Sequence, residues 1–132
     1  MSRYLLDTHV WLWLLAEPQR LREDVLDLLA DVDNVILLSA ASGWEIAIKY
    51  RLNRLPLPEP PSTYVPDRMR RAGTAPLAVE HDHVLRVAEL PDHHRDPFDR
   101  LLVAQAQALG VPLVTADRQL SAYDVTLVTA DR

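Results

Sequence analysis

The chain has no cysteine, which removes disulfide scaffolds, thiolate zinc sites, iron–sulfur clusters and cysteine nucleophiles, and fits a compartment that is reducing or indifferent. Long apolar runs are missing too. The longest, residues 10–16, falls far short of the ~20 residues a membrane span needs, and Asp7 comes too early for the basic and apolar regions of a signal peptide. A soluble, cytoplasmic protein without membrane association is expected. Nor is there the positive excess of a general nucleic-acid binder, since the formal net charge is −5. What remains is 132 residues, 48 % apolar and 25 % charged, enough for one packed α/β domain over 1–132 and too little for two.

The charge is unevenly placed. Residues 1–45 carry 8 acids and 3 bases, residues 46–79 carry 2 and 6, and residues 80–132 carry 9 and 5. The middle is a basic island, Lys49, Arg51, Arg54, Arg68, Arg70 and Arg71, within an acidic protein. A solvated polar face explains any one of these residues; together they offer a track for phosphates.

Apolar patterning predicts alternating strands and helices. Tyr4-Leu5-Leu6 reads as a short buried strand ending in Asp7, followed by an apolar helix, and Leu21, Val25, Leu28 and Leu29 recur at helical spacing before the strand-like run 35–38. Ser39 ends that strand, and a helix from Ser42 carries Trp44, Ile48 and Leu52 on one face and stops near Asn53. Four of the ten prolines fall in 56–61, which predicts an extended linker. Helices over 62–72 and 81–90 flank an edge strand at 75–79, where Pro76 cannot donate to a central ladder. Asp96 as N-cap, Pro97 at the first helical position and a Gly110 stop delimit a strong helix. Strands at 112–115 and 125–128 close the chain, so a mostly parallel sheet with helices on both faces is expected. Leu-Val-Thr-Ala-Asp-Arg occurs at 113–118 and again at 127–132; six residues are too few for a solenoid unit, and local preference or a chance tail accounts for the second copy.

In an open parallel sheet the ligand crevice lies outside the carboxyl ends of the strands. Asp7, Ser39, Thr115 and Asp117 follow strand ends, Glu45 lies one turn into the helix after Ser39, and Asp96 and Asp99 open another. Each acid also has a purely structural reading. Asp96 and Asp99 fit a cap with an acid in the first turn, Glu45 can answer Ser42 in a capping box or pair with Lys49, and Asp117 can cap the turn after its strand. Asp7 differs, because it sits between apolar runs with no basic neighbour in sequence and needs compensation. Carboxylates gathered in one crevice repel unless a cation neutralises them, and an all-oxygen set favours Mg²⁺ or Mn²⁺, one or two ions, which points to phosphodiester hydrolysis.

The stretches LLDTHVWLW at 5–13, LSAASGWEIAIKYRLNRL at 38–55, HHRDPFDRLLVAQA at 93–106 and LVTADRQLSAY at 113–123 resemble PIN-domain proteins of the VapC type, toxins of type II toxin–antitoxin modules. The resemblance implies a three-layer α/β/α domain acting as a Mg²⁺- or Mn²⁺-dependent endoribonuclease, with a VapB-type antitoxin as partner and a homodimeric assembly. It lays the family's acidic set on Asp7, Glu45, Asp99 and Asp117, both as catalytic residues and as metal ligands, with Asp96 as a supporting cap and Thr8, Ser39 and Thr115 as supporting hydroxyls. Lys49, Arg51, Arg54 and Arg100 are the candidate RNA contacts. Gly43 departs from the family's pattern by weakening the helix before Glu45, and the second Leu-Val-Thr-Ala-Asp-Arg by prolonging the C-terminus. The alternative is a non-catalytic module of the same architecture acting through protein partners. The histidines read as solvated or loop-capping, His9 being the nearest to Asp7, and an aspartyl-phosphate phosphatase is disfavoured because it needs an acid where His9 stands.

Overall fold

The computed structural model describes residues 2–132. Five parallel strands, β1 (Ser2–Leu6), β2 (Asn34–Ser39), β3 (Thr74–Leu77), β4 (Leu113–Thr115) and β5 (Leu127–Thr129), lie in the order β3-β2-β1-β4-β5. The chain builds outward from β1 to one side and then returns to the other. The order therefore reverses beside β1, which makes the β1/β4 boundary the switch point where parallel sheets open a crevice.

Among the described residues six α-helices cover the two faces: α1 (Thr8–Ala16), α2 (Glu23–Ala30), α3 (Ala40–Arg51), α4 (Pro61–Ala72), α5 (His81–Arg86) and α6 (Pro97–Leu109). Successive strand residues point to opposite faces, so Leu5 and Leu6 enter different cores. Leu6, Ile36, Leu38 and Val114 pack with Val10, Trp11, Val25, Leu29, Ile46 and Tyr64 on one side. On the other, Leu5, Leu37 and Leu113 meet Leu102, Val103 and Ala106 of α6. Helices on both sheet faces form the three-layer α/β/α arrangement expected. No helix among the described residues is long and apolar enough to cross a membrane.

Most boundaries lie near their sequence-based positions, and the differences have local causes. Helix α3 begins at Ala40 rather than Ser42 because the Ser39 hydroxyl accepts the Ala41 N–H at 3.0 Å, while the Ser42 hydroxyl is engaged by Thr8. The helix expected over 81–90 stops at Arg86 and tightens into a 3-10 turn over Val87–Glu89, since Leu90, extended before Pro91, cannot continue it. The proline-rich linker ends one residue early, with Pro61 already the first residue of α4. Helix α6 keeps its predicted limits: Asp96 caps it through Phe98 and Asp99, and Gly110 ends it at φ 65°, a left-handed conformation glycine adopts without strain.

The second Leu-Val-Thr-Ala-Asp-Arg is not a tail. It forms β5, set two residues later than the predicted strand and paired in parallel with the first copy, Leu113 with Leu127, Val114 with Val128 and Thr115 with Thr129. Ala130 is fully buried and donates its N–H to the Thr115 carbonyl. Arg132 then anchors the end of the chain through its side chain to the Leu21 carbonyl.

Candidate active site

Strand β1 delivers Asp7 into the crevice and α1 begins directly after it. Asp7 is 1 % exposed. Its Oδ1 accepts the Thr8 N–H at 2.8 Å and its Oδ2 accepts the Thr115 hydroxyl at 2.7 Å. Among the described residues no lysine or arginine pairs with it; the nearest cationic candidate is His9, Nδ1 to Oδ2 at 3.5 Å. Burial pushes its carboxyl above the ordinary range, against the pull of His9 and of the Thr115 and Thr8 hydrogen bonds.

Asp99 enters from the first turn of α6, held there by the Asp96 cap, whose Oδ1 accepts the N–H groups of Phe98 at 2.8 Å and of Asp99 at 3.1 Å. Its pKa is pushed up to about 8, first by burial and then by the charges of Asp7, Asp96, Glu45 and Asp117. Acids from four separate segments of the chain thus act on one group. Glu45 comes from the inner side of α3, with Oε2 accepting from Lys49 Nζ at 2.7 Å, and its buried Oε1 has no hydrogen-bond partner. This pair raises the Lys49 pKa, chiefly through the hydrogen bond. Asp7, Glu45, Asp96 and Asp99 line one cavity of about 310 Å³ together with Thr8, His9, Lys49 and Arg54.

Asp117 does not line that cavity; it lines a second one with Thr115, Arg118 and Thr129. Its Oδ1 caps the 3-10 turn over Arg118–Ala122 through the Gln119 N–H at 3.0 Å, and its own N–H donates to Thr115 Oγ1 at 3.0 Å. Its Oδ2 meets His94 Nε2 at 2.9 Å, and the same ring nitrogen lies 3.4 Å from Asp99 Oδ2. Thr115 therefore joins Asp7 to Asp117, and His94 joins Asp117 to Asp99.

The supporting hydroxyls divide. Thr115 touches Asp7 directly; Thr8 holds Asp7 through its backbone N–H and turns its hydroxyl to Ser42 Oγ at 2.8 Å; Ser39 caps α3. Among the candidate RNA contacts, Lys49 and Arg54 line the crevice, whereas Arg51 lines a separate cavity with Tyr50, Asn53 and Leu57. Arg100 turns away and does not reach it. Its guanidinium is spent on the carbonyls of Pro91, Val87, Leu90 and His94 and on the Tyr123 hydroxyl, which ties the 87–94 segment to α6. The rest of the basic island is also diverted: Arg68, Arg70 and Arg71 all pair with Asp67.

The donor set fits a hard divalent cation. Buried carboxylates without a compensating arginine, a carboxyl that holds its proton to about pH 8 and an orphaned Glu45 oxygen together describe a site short of positive charge. His9, singled out as the histidine nearest to Asp7, does reach the site; His94 was not foreseen as part of it. His94 does cap its loop, accepting the Asp96 N–H on Nδ1 within the 91–96 connection; the local signal for its place in the site was its position two residues before a capping aspartate.

Comparison with known proteins agrees with this architecture. The PIN domain profile matches residues 4–126. Ribonuclease VapC22 of Mycobacterium tuberculosis is 32 % identical over 126 residues, 93 % of each chain. Ribonuclease VapC16 of the same organism is 68 % identical over 56 residues, a match covering 42 % of this chain and 40 % of that relative. Among solved structures, VapBC2 from Rickettsia felis, bound to a DNA fragment from its promoter, superimposes with a TM-score of 0.75 at 19 % identity, covering 98 % of this chain and all of that one. A profile that runs through nearly every element, over a sheet that brings acids to its switch point, makes this chain a member of the PIN-domain family.

Proposed function

We infer that this PIN-domain chain is a divalent-cation-dependent endoribonuclease that hydrolyses RNA phosphodiester bonds, the toxin of a toxin–antitoxin pair with a VapB-type antitoxin as its partner. The names of the two mycobacterial relatives and the VapBC assembly among the structural neighbours support that reading. The observation that carries it is the acidic crevice itself, where Asp7, Glu45 and Asp99 share one cavity and His94 bridges Asp99 to Asp117 beside it.

Asp7, Asp99, Asp117 and Glu45 would hold Mg²⁺ or Mn²⁺, one ion or two. When bound, the cation supplies a water of lowered pKa and stabilises charge developing on the phosphorus oxygens. The chain's own contribution is orientation. Thr115 and the Thr8 N–H fix both oxygens of the buried Asp7, and Asp96 fixes the first turn of α6 so that Asp99 faces them. Lys49 and Arg54, on the crevice wall, supply the positive charge that draws the RNA backbone to an otherwise acidic site.

The test is cleavage of end-labelled total and transfer RNA by purified protein free of antitoxin, with Mg²⁺, Mn²⁺ or EDTA, beside an Asp7→Asn, Asp99→Asn double variant. Discrete fragments that require metal and disappear in the double variant are expected. Equal cleavage by that variant would overturn the site, and inert but folded, metal-binding protein would favour the non-catalytic module.

A further inference from the structure

His94 lies in the connection that leads into α6, with its side chain only 14 % exposed. Both ring nitrogens are engaged. Nδ1 lies 3.1 Å from the Asp96 N–H; a backbone amide can only donate, so Nδ1 presents its lone pair, and in the neutral ring the proton then resides on Nε2. That nitrogen faces Asp117 Oδ2 at 2.9 Å and Asp99 Oδ2 at 3.4 Å.

This arrangement separates two roles. His94, Asp99 and Asp117 each offer one ligand atom within 4.8 Å of the others, which by distance alone would suit a cation held by an imidazole and two carboxylates. Ligation through Nε2 would need that nitrogen's lone pair. The proton would move to Nδ1 and confront the Asp96 N–H, two donors face to face; a doubly protonated ring meets the same conflict. We propose that His94 is instead a positioning residue: as an N–H donor from Nε2 it holds the Asp117 carboxylate beside Asp99, so that both turn their remaining lone pairs to one cation. The inference rests on the metal-site reading above. The same device recurs at His9, whose Nε2 accepts the Ala116 N–H at 3.1 Å while Nδ1 faces Asp7.

The two halves of the role are separable by substitution. Glutamine puts an amide N–H where Nε2–H was and gives up the acceptor for Asp96; asparagine keeps an acceptor near the Nδ1 position and leaves Asp117 without its donor. Mn²⁺ binding, read from the paramagnetic signal of the free ion, is compared for the unmodified protein, His94→Gln, His94→Asn and Asp99→Asn, with metal-free melting as a check of folding. His94→Gln is expected to keep the Mn²⁺ Kd within about threefold and His94→Asn to raise it about 10–100-fold, the usual effect of losing a partner that orients a ligand. The opposite order would show that the ring only anchors Asp96 and would overturn the proposal, as would unchanged binding or equal loss in both variants. Spin-echo modulation of Mn²⁺ bound to the unmodified protein gives an independent reading. A coordinated-nitrogen coupling that vanishes in His94→Gln makes His94 a ligand and defeats the positioning role. Mn²⁺ binding indifferent to Asp99→Asn would sink the metal site itself, a result distinct from Asp99-dependent binding that ignores both His94 variants.

Discussion

Asp99 shows at the scale of one residue what crowding acids under a sheet edge costs. In the folded, metal-free protein it keeps its proton to about pH 8, whereas in the unfolded chain it releases it near pH ~4. Between those values the folded state binds the extra proton, so stability falls as pH rises through the window. The metal-free melting temperature is therefore expected to decline from about pH 5 to pH 8, and Asp99→Asn to lessen the decline by taking away the titrating group. A slope unchanged in Asp99→Asn would mean that another group carries it. The need of Asp7 for compensation was legible from its place between apolar runs. The compensation found, a hydroxyl from Thr115, 108 positions away, was not, because pairing at that separation exists only once β1 and β4 lie side by side.

At the scale of the element, α3 carries a weak point next to a proposed cation ligand. Gly43 precedes Glu45 within the helix, and a Cβ added there would meet nothing within 4 Å. Gly43→Ala should stabilise the protein by up to about 1 kcal/mol through the lower backbone entropy of the unfolded chain, read as a higher urea midpoint with an unchanged slope. The face assigned from Trp44, Ile48 and Leu52 is real but turned outward: Trp44 is 62 % and Leu52 55 % exposed, with Trp44 resting on Phe98. Periodicity identifies a helix and its stripes. It does not say which stripe meets the sheet, and here the opposite one does, carrying Ile46 and Glu45 inward.

For the molecule as a whole, the repeated Leu-Val-Thr-Ala-Asp-Arg has the largest consequence. Because β5 completes the ladder beside β4 and Ala130 is fully buried, residues 127–132 belong to the folded unit. Deleting them would strip the edge from β4, the strand that positions Thr115 and Asp117. The truncated chain is expected to melt well below the full chain or to fail to fold, measured by circular dichroism; an equally stable truncation would return the segment to the status of an appendage.

Local chemistry was enough to specify the α6 helix with its Asp96 cap and Gly110 stop, the strand leading into Asp7, the edge position of Pro76 and the alternation that yields a parallel sheet. Those features depend on neighbours a few residues away, and the sequence displays them directly. Which acids share a cavity, that Arg100 serves the 87–94 segment rather than the crevice, that Asp67 draws in three arginines, and that His94 lies between two carboxylates were decided by tertiary structure. Each is a contact between segments that the strand order brings together, and its strength depends on burial and on through-space charge, neither of which is a property of a stretch of sequence alone.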